Sequence, residues 1–322
     1  MPSLKEIKNR IASVNSTRKI TSAMKMVASS KLHHAQVQIE KMLPYESLLE
    51  HIMKTFLASD ADANTIYQRE REVKRVALVV FASNSSLCGG FNSNIIKLMQ
   101  QAIAEYNHLG PDNIIIYPIG RKVAEKVTKL GLNSAGDFTA LADKPNSVDC
   151  INIATELGAK FRLGEIDKVE LIYHHFKSAG SQILTRKTLM PLDLEMELES
   201  DHERDLTSNV ITKQAQDYLK KRRKQEEEHE KENVRPLNDN FIVEPDMDTV
   251  LGVLIPKVAH LMLYTALLDS NASEHAARMV AMQTATDNAD ELLRELNLQY
   301  NKSRQQAITN ELLDIVGGSV NN

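Results

Sequence analysis

The side chains able to do chemistry are few and scattered. Leu87-Cys88-Gly89-Gly90-Phe91-Asn92 follows a β-prone run and precedes an amphipathic helical pattern, the setting in which glycine-rich loops hold phosphates. Phosphate binding would need the spaced glycines of G-x-G-x-x-G or the lysine of G-x-x-x-x-G-K-[ST], and this stretch has neither. Cys88, Gly89 and Gly90 are therefore expected to make a tight structural turn. Cys88 at a helix N-terminus would favour a thiolate, but no nearby histidine offers a base, so a small buried side chain is the stronger reading. His33-His34 and His174-His175 are adjacent pairs, which point apart on a helix or a strand and lack metal spacing; they read as surface or packing residues. Asp193 and Glu195 lie in polar connecting sequence, where nothing tunes either as an acid. The expectation is no catalytic, cofactor-binding or metal-ligating residue.

Arg278 and the pair Arg304-Gln305 differ in their setting. The plain reading makes them part of a solvated face. The functional reading gives them an outside partner, because guanidinium suits bidentate contacts with carboxylate and an amide makes directional hydrogen bonds. The element that positions them is Ser273–Val316, which predicts one long helix. Ala277, Ala281, Ala285 and Ala289 form an i, i+4 ridge that lets a second backbone approach, and Leu293, Leu296, Tyr300, Ile308, Leu312 and Ile315 follow at mostly three- and four-residue steps. Asp290 and Arg294 are spaced for an i, i+4 pair, and Gly317-Gly318 reads as a stop. Such a rod needs a partner.

That partner is read at the other end of the chain. Pro2-Ser3-Leu4-Lys5-Glu6 is a capping box that starts a helix. Leu4, Ile7, Ile11 and Val14 form a heptad seam, continued by Leu32, Ala35, Ile39 and Met42. In between, Arg18, Thr21 and Lys25 take the seam positions while Ile20, Met24 and Val27 carry the apolar stripe, so the seam is expected to change face midway. Pro44 is a candidate kink, after which the pattern resumes at Leu48, Leu49, Ile52 and Leu57, and Asp60 to Asn64 closes the segment. At roughly 1.5 Å per residue the N-terminal helix measures about 60–80 Å and the C-terminal one more than about 100 Å, so the economical arrangement packs them antiparallel and lets them project.

Between the rods the texture changes. Val76 to Phe81 is a continuous β-prone run of the parallel-sheet type; Ser83 to Gly90 reads as a turn and Asn94 to Tyr106 as a helix. Asn113 to Pro118 follows as a strand, Arg121 to Leu130 and Val148 to Arg162 as helices, and Val169 to Phe176 with Gln182 to Leu189 as a closing strand pair. This alternation predicts an α/β domain with a mainly parallel sheet. Ser200 to Asn240, centred on KKRRKQEEEHEKEN, sets opposite charges in adjacent blocks and reads as a solvated helix or insertion rather than a nucleic-acid patch. Asp246 or Asp248 is the expected cap of the last helix. The fold class is α/β: a long antiparallel coiled coil of N- and C-terminal helices plus a Rossmann-like domain. Its boundaries are 1–60 for the N-terminal shaft helix, 73–198 for the α/β domain, 199–241 for the charged insertion and 245–322 for the C-terminal shaft helix.

Composition agrees with this reading. The 322 residues are 42% hydrophobic but only 5% aromatic, without tryptophan, which fits long helices packed through Leu, Ile, Met and Ala. A net charge of −4 gives no general case for nucleic acid. Two cysteines, Cys88 and Cys150, make no disulfide framework and imply a reducing compartment. The N-terminus has no secretory or transit pattern. Thr249 to Leu268 is apolar and long enough to consider as a membrane span. Lys257 near its middle would cost about 2.5–3.5 kcal/mol there, and His260 and Pro256 add to the difficulty, so a helix buried in protein is expected.

SEHAARMVAMQTATDNA followed by LNLQYNKSRQQAITNELLDIVGGS, together with LKEIKNRIASVNSTRKITSAMKMVASSKL at the start, resembles the two terminal signatures of the gamma-subunit family of F-type ATP synthases, and the LCGGFN turn and the EPD lead-in fall in matching order. The resemblance covers nearly the whole chain and is weak over Ser200 to Asn240. It implies a non-catalytic rotor shaft without cofactor, one copy per complex. Its partners would be the hexameric ring of alpha and beta subunits, the epsilon subunit and the membrane c-ring. The location implied is the cytoplasmic side of a bacterial inner membrane, peripheral and without a span of its own. By matching position, Arg304 and Gln305 resemble residues that contact a beta catch loop, and Met24 with Arg278 lies in the region that works against a beta lever segment. The family commonly has an acidic-basic-glycine run before its Leu-Cys-Gly; here Asn84-Ser85-Ser86 precede Leu87, so a charged contact with beta from this loop lacks its side chains. The rival classes are a nucleotide-binding enzyme on the α/β domain and a free-standing coiled-coil scaffold.

Overall fold

The computed structural model describes residues 3–59, 71–192, 244 and 246–320. The first helix, α1 (Leu4–Ser59), starts where the sequence places its capping box: the Ser3 amide donates to Glu6 Oε2 at 2.9 Å and the Glu6 amide to Ser3 Oγ at 3.3 Å. Pro44 lies inside α1 without ending it. The closing segment Asp60 to Asn64, the charged insertion 199–241, and Asp193 with Glu195 lie outside the described residues.

The α/β part runs β1 (Val76–Phe81), α2 (Phe91–Glu105), β2 (Ile114–Ile119), α3 (Arg121–Leu130), β3 (Asn133–Ser134), α4 (Thr139–Asp143), α5 (Ser147–Arg162), β4 (Lys168–Ser178) and β5 (Ser181–Met190). The five strands lie in the order β3-β2-β1-β4-β5. β1 is parallel to β2, with Val76 beside Ile114, and to β4, with Val76 beside Lys168, while β5 returns antiparallel to β4. β3 and α4 carry no sequence signal, since a two-residue strand and a single helical turn are too short to show a period. α2 begins at Phe91, three residues before the periodic pattern, because the Phe91 ring stacks on His174 at 4.5 Å between centroids.

Every residue of β1 is buried, which a strand covered by helices on both faces requires. One face of the sheet sets Ala77, Val79, Phe81, Tyr117, Ile119 and Leu171 into a core with Leu157 and Phe161 of α5. The other sets Val76, Leu78, Val80, Ile116 and Ile172 against Ile95 and Met99 of α2 and Val123 and Val127 of α3. Burying each such aliphatic or aromatic side chain contributes about 1.5–3 kcal/mol. The turn from β2 into α3 has room for no side chain: Gly120 sits at φ 108°, and a Cβ there would stand 2.0 Å from the Ala82 carbonyl oxygen. One buried acid is tied into the sheet. Glu170 accepts from Arg186 Nε at 2.8 Å and from the Tyr106 hydroxyl at 2.7 Å, with Lys168 Nζ at 3.0 Å. Burial by itself would raise its pKa, but the hydrogen bonds from Arg186, Tyr106 and Lys168 outweigh that and hold it lowered.

The last helix, α6 (Met247–Val320), is capped by Asp246, whose carboxylate accepts from the Thr249 amide at 2.8 Å. Its apolar first part is long and apolar enough to cross a membrane by composition. Leu251, Ile255, Val258, Ala259, Leu263 and Leu267 of that stretch are instead packed into the core on the α5 face of the sheet. Neither Pro256 nor Gly317-Gly318 ends α6, so the glycine pair is not the stop its composition suggests.

Contacts divide the chain into two compact units, Met1–Ala28 with Arg278–Asn322, and Ser29–Ala277. The division cuts through both long helices: the central unit holds the sheet, the later part of α1 and the earlier part of α6, and the other unit holds the two helix ends.

Candidate functional site

Within the helix-end unit the two helices are antiparallel. Arg18 Nη1 donates to Asp290 Oδ1 at 2.9 Å, and the Thr21 and Thr286 hydroxyls stand 2.8 Å apart, so a step forward on α1 meets a step backward on α6. Asp290 thus takes Arg18 of the opposite helix and is not simply the intrahelical partner of Arg294. Carried along the pair, this register sets Ile7, Ile11 and Val14 beside Tyr300, Leu296 and Leu293, and these are the sheltered positions on both helices. The sheltered set on α6, Met282, Thr286, Ala289, Leu293, Leu296, Tyr300, Ser303 and Ala307, alternates steps of three and four, a heptad seam.

Two expectations fail here. The seam of α1 keeps its heptad phase through Arg18, Thr21, Lys25 and Ala28: Thr21 and Ala28 are buried, whereas Ile20 and Val27 are 60% and 58% exposed and Met24 is half-buried. The apolar stripe therefore does not draw the seam to a new face, because rolling α1 by one residue would also lift Ile7, Ile11 and Val14 out of contact. On α6, Ile308 and Leu312 are exposed rather than part of the inner seam. The register explains them: Leu4, the first residue of α1, falls beside Ser303, so among the described residues α6 has no α1 turn beside it from Arg304 to Val320, roughly 25 Å.

Among the residues singled out for partner contact, Arg304 and Gln305 are exposed at the point where the paired part gives way to α6 alone, and Met24 and Arg278 are half-buried on the paired part. Sequence reading overlooked a set of exposed apolar side chains around them: Met26, Val280, Leu292, Leu298 and Leu313. The signal that would have found them is the seam register, since each falls outside the three-four positions. Leu298 is 71% exposed.

In the central unit, Cys88, Gly89 and Gly90 lie in the turn between β1 and α2. Cys88 is buried, Gly89 has φ 59°, and Leu87 adopts φ 68°, a conformation unusual for a branched side chain. Asn92 ties the turn down, with Nδ2 donating to Ser83 Oγ at 2.8 Å and Oδ1 accepting from the Ser83 amide at 3.1 Å. Asn84, where the family's charged run would be, is engaged in the same way, its Nδ2 donating to the Thr139 carbonyl at 2.7 Å and its Oδ1 accepting from the Arg121 amide at 2.8 Å. A small, shallow cleft lies at the carboxyl ends of β1 and β2, where doubly wound sheets bind ligands. Here Leu267, Ser270, Asn271 and Glu274 of α6 line it together with Ala82 and Phe91. Of the histidine pairs, His33 and His34 are exposed; His175 meets Asp269 at 2.8 Å, and burial lowers the His174 pKa to about 4. Among the described residues, no three of His, Cys, Asp and Glu converge as metal ligands do.

Comparison with known proteins gives a consistent result. A family model described as ATP synthase matches residues 3–320. The ATP synthase gamma chain of Phocaeicola vulgatus is 53% identical over 320 residues, covering 99% of this chain and 100% of that one. That of Bacteroides thetaiotaomicron is 51% identical over 322 residues with the same coverage. Among solved structures, a chain of the Euglena gracilis mitochondrial ATP synthase superposes with TM-score 0.58 at 18% identity, over 98% of this chain and 93% of that one. A chain from the central stalk and c-ring of the Tetrahymena thermophila enzyme gives 0.53 at 23%, over 83% and 99%. These two similarities concern the fold.

Proposed function

This chain belongs to the gamma-chain family of ATP synthases, and from that premise we infer that it is the central rotor shaft of an F-type enzyme, carrying torque between the proton-driven c-ring and the catalytic beta subunits. The observation that carries the reading is the helix-end unit, whose two helices bury a narrow seam and leave Ile20, Val27, Leu298, Ile308 and Leu312 facing outward. Apolar side chains set around a paired rod and its single-helix extension fit a surrounding protein ring better than water.

The mechanism follows from asymmetry. One pair of unlike helices inside a ring with threefold repetition meets three different surroundings in turn, and each orientation favours a different beta conformation only through contacts that differ between the states. We assign Arg304, Gln305, Met24 and Arg278 to those contacts with beta, the first two from the start of the single-helix extension. The shaft helices, 1–60 and 245–322, would enter the ring of alpha and beta subunits, while the α/β domain, 73–198, would face the epsilon subunit and the c-ring at the foot. The chain itself catalyses nothing in this reading, supported by a phosphate motif without its lysine and by α6 side chains lining the crevice at the strand ends. One copy serves each complex, peripheral on the cytoplasmic side of the inner membrane, and the Cys88-Gly89-Gly90 turn is structural. For the charged stretch Ser200 to Asn240, we propose a limit on rotation in the hydrolysis direction; its deletion should then change ATP hydrolysis or its inhibition.

Co-expression with the alpha and beta subunits tests the whole reading: the three should co-purify and hydrolyse ATP together. Arg304→Ala should lower ATP-driven proton pumping without abolishing nucleotide binding by the complex. Nucleotide binding by the chain purified alone would favour an enzyme, and a defined homodimer would favour a scaffold.

A further inference from the structure

Between Val14 and Ala28 the seam of α1 contains no large apolar side chain. Its positions are Arg18, Thr21 and Lys25; of the apolar residues of the same turns, Ile20, Met26 and Val27 are exposed and Met24 is half-buried beside the seam. Over roughly 20 Å of helix, polar contacts occupy the α1 seam positions, and apolar packing there is limited to Met24, Ala28 and the α6 side chains such as Met282. Those contacts are the Arg18–Asp290 ion pair at 2.9 Å and the Thr21–Thr286 hydroxyl pair at 2.8 Å; each hydroxyl also faces a carbonyl of its own helix, Arg18 at 3.0 Å and Met282 at 2.8 Å, so one donates across the seam and the other back to its own helix. A single bond between two helices is a pivot. Two bonds one helical turn apart fix both the axial offset and the rotation of each helix about its own axis.

The ion pair is 38% and 43% exposed on its two sides, and pairs of that kind contribute little to stability. Its leverage lies in specificity, as with polar residues in coiled-coil seams. A slip of one heptad would set Arg18 beside Gln283 or Asn297 and Thr21 beside Met279 or Leu293, removing both the charge partner and the hydroxyl pair across the seam, although the Thr21 hydroxyl keeps the Arg18 carbonyl of its own helix.

We propose that Arg18, Thr21, Thr286 and Asp290 form a polar clasp that keeps the two shaft helices in fixed phase, so that Ile20, Met26 and Val27 turn together with α6 as one face. These four are positioning residues for torque transmission. The proposal rests on the shaft reading.

The test uses the assembled complex of this chain with its alpha and beta partners. Thr21→Cys with Thr286→Cys puts thiols where the hydroxyls are 2.8 Å apart, within reach of a disulfide after small adjustment. That pair should cross-link readily on oxidation. Adding Arg18→Glu, which opposes Asp290 with a like charge, should slow the cross-linking about fivefold and lower the protons pumped per ATP hydrolysed. The swap Arg18→Glu with Asp290→Arg should restore both, and the oxidised cross-link should restore the pumping ratio to Arg18→Glu while its reduction removes it again. Should Arg18→Glu block assembly, Arg18→Gln serves with the same readouts. Cross-linking as fast as in the Thr21→Cys/Thr286→Cys pair alone, with unchanged pumping, in the Arg18 variant that assembles would overturn the clasp. So would a charge swap that cross-links as fast as that pair yet stays uncoupled, since Arg18 would then act on an outside partner. Failure of the shaft reading gives a different result: the unaltered chain would not co-purify with alpha and beta at all.

Discussion

The central unit and the helix-end unit differ in the breadth of the apolar core that each one buries. In the central unit Phe81, Tyr117, Phe161 and Phe176 are fully buried, and the buried acid Glu170 has three hydrogen-bonding partners. In the helix-end unit the seam mixes Ile7, Ile11, Val14, Met282, Leu293 and Leu296 with threonine, serine, alanine and an ion pair, while Ile20, Leu298, Ile308 and Leu312 point outward. The first rests on a two-sided sheet core. The second buries only a narrow seam, and in the shaft reading proposed above its outward side chains would be covered by another chain.

The largest effect that would break this contrast is a cavity in the central unit. Phe161→Ala should destabilise it by about 3–5 kcal/mol, read by urea unfolding of the chain; a loss under about 1 kcal/mol would mean that the central core, too, is loosely filled. Next comes Arg186→Leu, which strips Glu170 of its guanidinium while the carboxylate stays buried. A loss of about 3 kcal/mol is expected, tempered because Lys168 and Tyr106 remain. Folding without penalty would show that Glu170 has access to water.

Acid should act on the same unit. Burial holds His174 neutral with its pKa lowered to about 4, whereas an imidazole in the unfolded chain protonates near pH 6.5. Below about 6.5 the unfolded state therefore binds the extra proton, and stability falls as pH drops toward 4. This contribution is present in full above pH 6.5 and amounts to at most about 3 kcal/mol. Unfolding measured across that range should slope less in His174→Gln than in the wild type, and equal slopes would remove His174 as the cause.

The smallest expected effect is the most informative about the other unit. Leu298→Ser or Leu312→Asn should change the stability of the isolated chain by no more than about 0.5 kcal/mol, because both side chains are already in water. Both should still weaken co-purification with alpha and beta. A large loss of stability in the isolated chain would mean that these leucines have a partner within it.

Local pattern was enough for most of the fold. The Ser3–Glu6 cap, the Asp246 cap, α3 at Arg121–Leu130 and the strand at Val76–Phe81 each depend on residues close in sequence, and the structure has them where they were expected. The family signatures likewise lie in short continuous stretches at the two ends. Tertiary structure decided the rest. Whether Ile20 or Thr21 enters the seam depends on the stiffness of a helix already committed by Ile7, Ile11 and Val14, not on the hydrophobicity of either residue. Whether Ile308 and Leu312 are inner or outer depends on where α1 begins beside α6, an offset that no periodicity within α6 contains. The partner of Asp290 depends on the same offset, which brings Arg18 from 272 positions away to 2.9 Å. A sequence records which residues want burial; the register between two distant helices settles which of them obtain it inside this chain and which are left for another.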